Sequence, residues 1–287
     1  MVGFVLLSLS RTTSRSIGDM LRGAHMPGFG LLEVVGGVMP SMGGFSRAER
    51  VWALIAEQAA AGGGAVSAAY VCGACVMATG TDGAVLSLAT SSGGRAVAHA
   101  TDEVAASLDD LQFTLGEGPC VDAFAGGGPV LVGDVDSAEA AVRWPVYAPA
   151  ARAAGARAVF AFPLQAGAIR VGILEMYRAA AGSLSGEQLS DALAFSFAAL
   201  SVVLTPSHPP PAGAEPAQGH LSLDGLGEGR AQVYQATGMV AVQLGSGLAE
   251  ALVRLRARAF TSGLPLAEIA RLVVDRELRF SPDHGGG

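Results

Sequence analysis

The chain contains no lysine; all 18 of its formally positive side chains are arginine. That absence removes Schiff-base chemistry on a lysine amine, a Walker-type phosphate loop and a kinase-type catalytic lysine. Cysteine is nearly as scarce. The three thiols, Cys72, Cys75 and Cys120, are too few for a secreted disulfide framework, and their odd number points to a reducing compartment. No uninterrupted apolar run approaches the ~18–20 residues of a membrane helix. The short run at 2–9 is followed, not preceded, by its first arginines, Arg11 and Arg15, which is the wrong order for a secretion signal. A cytoplasmic protein with no membrane segment is expected.

What the chain does have is core-forming material and an uneven distribution of charge. Over 287 residues it is 51% apolar, enough for one large or two modest domains. The net charge of -7 hides a polarity along the chain. Residues 1–229 carry 11 arginines against 20 acids, whereas residues 230–280 carry seven arginines against four. A basic segment behind an acidic body suggests contact with a polyanion, and a solvated helical surface would give the same count.

Residues 1–44 show no sustained period and receive no fold. Ser46 and Glu49 then form a capping-box pattern, with Val51, Leu54, Ile55 and Gln58 following at helical spacing. Residues 68–79 read as a strand, Thr81-Asp82-Gly83 as a turn and 84–91 as the returning strand of a hairpin. A helix over 102–111 is broken by Leu115-Gly116-Glu117-Gly118-Pro119. Strands follow at 130–132, 159–164 and 169–177, with a helix over 144–154 and a last one, capped by Ser185 and Gln188, reaching 204. The whole predicts an α+β domain over 45–204, helices flanking a largely antiparallel sheet. A Pro/Gly-rich connector over 205–226 marks a boundary. Three helical patterns at 230–244, 248–261 and 265–279 make a small all-α domain over 227–280, and 281–287 is a tail. Such a small helical core gains from docking or dimerisation.

Both halves resemble known families. Leu111-Gln112-Phe113-Thr114-Leu115-Gly116-Glu117-Gly118-Pro119-Cys120 and Ala158-Val159-Phe160-Ala161-Phe162-Pro163-Leu164 make residues 45–204 similar to a GAF domain of the kind found in actinobacterial regulators. Gln235-Ala236-Thr237-Gly238-Met239, Ala249-Glu250-Ala251-Leu252, Leu255-Arg256, Ala259-Phe260 and Leu266-Ala267-Glu268-Ile269-Ala270 make residues 227–280 resemble an ANTAR domain. The resemblance implies a signal-responsive regulator of transcription antitermination, in which the ANTAR domain binds paired hairpins in a nascent transcript, as a homodimer, without being an enzyme. In one respect the chain departs from that family: many ANTAR domains carry a basic residue where Thr237 stands, so a phosphate contact would be missing.

Hairpin RNA is recognised through phosphate contacts, shape and stacking, for which arginine and small polar groups are the expected tools. The RNA-binding candidates are Gln235, Thr237, Gly238, Arg254, Arg256, Arg258 and Arg271. Arg254 and Arg258 share a helical face away from the apolar stripe. Arg256 points elsewhere, toward RNA or toward an ion pair that positions the helices. Phe113, Glu117, Asp122, Asp134 and Trp144 are candidates to line a ligand pocket of the GAF-like domain, and core or surface roles would account for them equally. The pocket ligand and any cofactor remain unknown, since nothing specifies a cyclic nucleotide, haem or bilin.

As for the thiols, Cys72 and Cys75 on a strand would face opposite sides of a sheet, unlike a zinc pair. Cys120, after a Gly-Pro turn, would open a helix whose dipole lowers its thiol pKa, making it the redox candidate. With His99 the lone histidine of the domain, no metal is expected. Two other readings stand beside the regulator: a GAF-fold methionine sulfoxide reductase or redox sensor using its cysteines, and a helix-turn-helix-like DNA-binding regulator.

Overall fold

The computed structural model describes residues 46–90, 95–205 and 228–281. The expected extension 1–44, the connector beyond Thr205 and the tail beyond Ser281 lie outside the described residues. Helix α1 (Arg47–Gly62) buries Val51, Ile55 and Ala59, spaced four apart along one stripe. Helix α2 (Ala68–Thr79) replaces the strand expected there. An apolar run without alternation does not separate strand from helix by period. Its alanines favour helix, its 12 residues are long for a strand, and Gly80, at φ 61°, closes it by donating its N–H to the Val76 carbonyl. Cys72 and Cys75 therefore lie three apart on a buried helix, not on opposite faces of a sheet, and the Cys75 Sγ sits 3.1 Å from the Met176 Sδ.

Thr81-Asp82-Gly83 leads from α2 into β1 (Gly83–Ala89), and the hairpin partner of β1 is β2 (Arg95–Ala100), a strand left unassigned from sequence. With β3 (Val130–Val132), β4 (Ala158–Ala166) and β5 (Ile169–Arg178) they build a five-stranded antiparallel sheet in the order β2-β1-β5-β4-β3. The strand period of two gives it two apolar faces. Leu86, Phe160, Phe162, Leu174 and Met176 pack with α1, α2 and α7 (Gly186–Leu204). Val85, Val159 and Tyr177 pack with Leu108 of α3 (Glu103–Leu115) and Tyr147 of α6 (Tyr147–Ala153) on the opposite face.

Local signals set the helix ends. Asp102 Oδ1 accepts the Ala105 N–H at 2.8 Å, and Gly116, at φ 73°, ends α3 one turn later than the sequence pattern implies. Pro119 starts α4 (Pro119–Gly126). The helix expected over 144–154 is α6, and a further helix that the sequence pattern does not mark, α5 (Ala138–Arg143), precedes it, the two parted at Trp144-Pro145. Helix α7 opens with the expected capping box, Ser185 and Gln188. With 19 residues and a mean hydropathy of 1.3, α7 is long and apolar enough to cross a membrane by length and composition, although Glu187 and Asp191 interrupt its apolar run. Here it lies along the sheet, burying Ala192, Phe195, Ala198 and Ala199.

The C-terminal segment folds as α8 (Glu228–Leu244), α9 (Leu248–Ser262) and α10 (Leu266–Val274) around Val233, Ala236, Val240, Leu255, Ile269 and Val273. The third helix, expected to reach 279, stops at Val274. Arg276 adopts φ 64°, the Glu277 and Leu278 N–H groups return to the Leu272 carbonyl, and the Phe280 N–H bonds Gln243 Oε1 of α8 at 2.8 Å. Sheet packing also leaves no room beside Gly172, where an added Cβ would sit 2.3 Å from the Ser87 carbonyl oxygen. Gly172→Ala is expected to lower stability by about 1–3 kcal/mol, measurable as a reduced midpoint in urea unfolding.

Candidate functional site

The residues with most chemistry per unit volume lie where α3 meets both the sheet and the helical segment. The unit that begins at Arg47 takes in both. Glu175, on the central strand β5, stands opposite Val85 and Ala161 and points to the α3 face. Gln112 Nε2 donates to both its oxygens at 2.9 Å, and the Cys120 thiol donates to Oε2 at 3.0 Å. Gln112 Oε1 in turn accepts the Cys120 N–H at 2.6 Å. Burial pushes the Glu175 carboxyl up to about 7, with the hydrogen bond from Cys120 acting against that rise and the nearby Asp109 adding to it. Burial likewise drives the Cys120 thiol well above its ordinary pKa, and the charge of Glu175 adds to the rise. Cys120 does open α4, but the expected dipole-lowered, reactive thiol is corrected by this burial. All three cysteines are buried and free.

One helical turn before Gln112, the fully buried Asp109 meets two arginines. Arg230 Nη1, from α8, lies 2.8 Å from Asp109 Oδ2, and its Nε lies 3.2 Å from Asp110 Oδ1. Arg95 of β2 lies 3.9 Å from Asp109 Oδ1. Neither Asp109 oxygen has a partner in hydrogen-bond geometry, and Tyr147 Oη and Arg95 Nη1 are also unsatisfied, so charge pairing alone compensates the buried carboxylate. Tyr234 Oη of α8 donates to the Arg95 carbonyl at 2.5 Å, tying the same strand to the same helix.

Phe113 completes the junction. Its ring belongs to the core of the helical segment, meeting Tyr234 edge-on with centroids 5.6 Å apart. The Arg230 guanidinium lies over that ring at 4.8 Å and that of Arg256 at 5.6 Å. Arg256 Nε also donates to the Phe113 carbonyl at 3.0 Å, and Nη2 reaches the same oxygen. This carbonyl lies in the last turn of α3, where orphan acceptors and the negative end of the helix dipole favour a cation. Burial lowers the Arg256 pKa to about 10, helped by the charge of Arg95.

The expected pocket residues divide accordingly. Phe113 is a junction residue, not a pocket residue. Glu117 accepts the Val146 and Tyr147 N–H groups at 2.8 and 2.7 Å, holding the start of α6. Asp122 holds Arg143 Nε at 2.7 Å and Trp144 Nε1 at 3.1 Å. Asp134 pairs with Arg157 at 3.2 Å. Asp134, Arg143 and the buried Trp144 share an open groove of about 710 Å³ beside β3. Among the described residues no three His, Cys, Asp or Glu side chains are grouped to hold a metal ion.

The expected RNA-binding residues also part company. Thr237 is buried and its hydroxyl bonds the Val233 carbonyl at 2.7 Å, so it is not a surface contact. Arg256 is taken up by α3, which corrects its expected contact with RNA. Arg254 lies 3.8 Å from Glu250, and Arg271 pairs with Glu268 at 2.7 Å and Asp275 at 2.9 Å. Gln235 and Arg258 are exposed, and Gly238 has open space where a Cβ would stand.

An α+β domain with a single antiparallel sheet, gripping a three-helix segment through its third helix, is the class this architecture defines. Residues 227–274 match the family model of the ANTAR domain, and the chain carries that domain C-terminal to its α+β part. No curated protein matches the chain. The solved structures to which it is similar include a GAF domain from a phosphoenolpyruvate-protein phosphotransferase of Coxiella burnetii, at 14% identity over 55% of this chain and 95% of that one, TM-score 0.40. A free methionine-R-sulfoxide reductase of Thermoplasma acidophilum matches at 15% identity over 55% and 95%, TM-score 0.36, and one from Neisseria meningitidis at 15% over 56% and 95%, TM-score 0.34.

Two outcomes test this junction. The Glu175 proton is held to about 7 in the folded chain and lost near 4.5 in the unfolded one. Stability from this group is therefore full below 4.5 and falls as pH rises, by roughly 3 kcal/mol up to about 7. Thermal melts across that range should show the decline in the native chain and a flatter profile in Glu175→Gln. Arg230→Met should destabilise by about 3–5 kcal/mol, because it leaves the Asp109 carboxylate buried beside Arg95 alone. Adding Asp109→Asn should restore much of that loss in the same denaturation assay.

Proposed function

We propose that the chain is a signal-responsive, non-enzymatic regulator of transcription antitermination, working in the cytoplasm as a homodimer. Its GAF-like domain over 45–204 takes a small-molecule or protein signal, and its ANTAR domain over 227–280, beyond a connector at 205–226, binds hairpin RNA in a transcript leader. The observation that carries this reading is the ANTAR match at 227–274, since that family is one of RNA-binding antitermination regulators. The surplus of arginine in the segment supplies the charge for a phosphate backbone.

The junction supplies the route for the signal. Glu117, which holds the start of α6, is next to Gly116, and Gly116 packs against Arg256 so closely that an added Cβ would lie 3.0 Å from its Nη1. A ligand that displaced α6 or the Asp122–Trp144 contact would move the end of α3, and with it Phe113, Arg230 and Arg256. The reductase reading draws no support from the thiols, all buried and with none resting on the surface.

Binding of the full chain to a two-hairpin RNA, a single hairpin and duplex DNA of equal length, across a salt series, tests the proposal. Preference for the paired hairpins is the expected outcome, and equal binding to duplex DNA would reject it. Arg254→Ala with Arg258→Ala should flatten the slope of log K against log salt by about 1.4, at roughly 0.7 per phosphate contact on single strands.

A further inference from the structure

The ANTAR match ends at Val274, yet the chain beyond it folds back on α8 and builds a surface that the sequence pattern did not mark. The left-handed Arg276, a strained conformation for a side chain of that size, turns the backbone, and the Phe280 N–H anchors it on Gln243. Between this return and α8 lies a groove of about 550 Å³, lined by Gln235, Gly238, Met239, Val242, Arg276 and Arg279, with Gln243 at its end.

Its chemistry is one-sided. The lining contains two arginines, two amides and no acid. The one acid between the arginines in sequence, Glu277, adds its charge to the field at Arg271, which Glu268 and Asp275 already hold. Among the described residues neither Arg276 nor Arg279 enters an ion pair, in contrast to Arg254 and Arg271. The floor is apolar: Val242 is 85% exposed, Met239 is half-buried beside it, and Gly238 presents bare backbone. Cations over an apolar floor, with amide groups at the edge, match an unstacked base and its flanking phosphates.

We propose that this groove is an RNA-contact site of the protein, taking one unpaired nucleotide of a hairpin loop with its base against Gly238, Met239 and Val242 and its phosphates on Arg276 and Arg279. The inference rests on the RNA-binding reading and deepens it. It moves the principal contacts from α9, whose Arg256 is taken up by α3, to the face of α8 and the turn after α10.

The test uses the full chain, a two-hairpin RNA labelled for fluorescence anisotropy, and a salt series. Arg276→Ala with Arg279→Ala should flatten the salt slope by about 1.4. Gly238→Gln places a side chain in the groove where a Cβ meets open space, in a helix that gains from losing a glycine, so the fold should hold and thermal unfolding should shift up if at all. It should weaken RNA binding by about tenfold, the scale of one lost base contact. Arg152→Ala with Arg170→Ala, a charge-matched change on the exposed sensor surface, should leave binding as it is. If the native chain binds RNA and either groove variant binds as tightly with an unchanged slope, the groove assignment is overturned while the RNA reading stands. An equal loss in the sensor-surface variant would overturn it too, since bulk charge would then explain the effect. Absence of RNA binding by the native chain overturns the broader reading and this one with it.

Discussion

The ion pair between Asp109 and Arg230 is the constraint on which the rest of the arrangement depends. A carboxylate with no exposed surface has to be compensated, and Asp109 finds its counter-charge on a helix more than a hundred residues away in sequence. That requirement places α8 against α3, with Tyr234 on the Arg95 carbonyl and Phe113 in the helical core as consequences of the same docking. An apolar contact of similar area would hold the two parts together but would tolerate sliding. A buried charge pair flanked by cation–π contacts fixes one geometry between the two parts.

Two polar clusters sit side by side on the buried face of α3. On the sheet side, Glu175, Gln112 and Cys120 share protons in a closed hydrogen-bonded set, with the carboxyl poised near neutrality. Beside it, Asp109 lies between Arg230 and Arg95. Because Gln112 and Asp109 are three apart on one helix, the state of one set is felt electrostatically by the other, and the Asp109 charge is among the influences on Glu175. Coupling of this kind passes directly between neighbouring buried side chains and needs no moving loop.

Much of the fold could be read locally, and the reason it could is the same reason the site could not. The Ser185–Gln188 capping box, the apolar stripe of α1 and the spacing of Leu252, Leu255, Ile269 and Val273 are contacts within one turn or one helix, which a linear pattern displays. The α2 segment carries no period, so its form rests on its alanines, its length and the Gly80 cap, which a reading by alternation does not weigh. β2 is short, with Arg95 and His99 among its six residues, and its identity comes from pairing with β1. The junction residues fail for a further reason. Phe113 and Arg256 meet across 143 positions, and each was recognisable as part of its own motif without any sign that the two motifs address each other. The turn at Arg276 is likewise invisible, since a left-handed arginine has no sequence signature. The one available hint was an adjacent acid pair, Asp109-Asp110, on a helix whose other buried positions are mostly apolar.

The place of Phe113 in the core of the helical segment has a further consequence. A fragment cut at the connector would keep all three helices but lose the ring that Tyr234, Arg230 and Arg256 enclose, leaving a vacancy the size of a benzyl group and two guanidinium groups without their aromatic face. By this geometry the domain boundary drawn along the sequence and the boundary of cooperative folding do not coincide. The aromatic residue at the end of α3 belongs to one domain by chain position and to the other by packing.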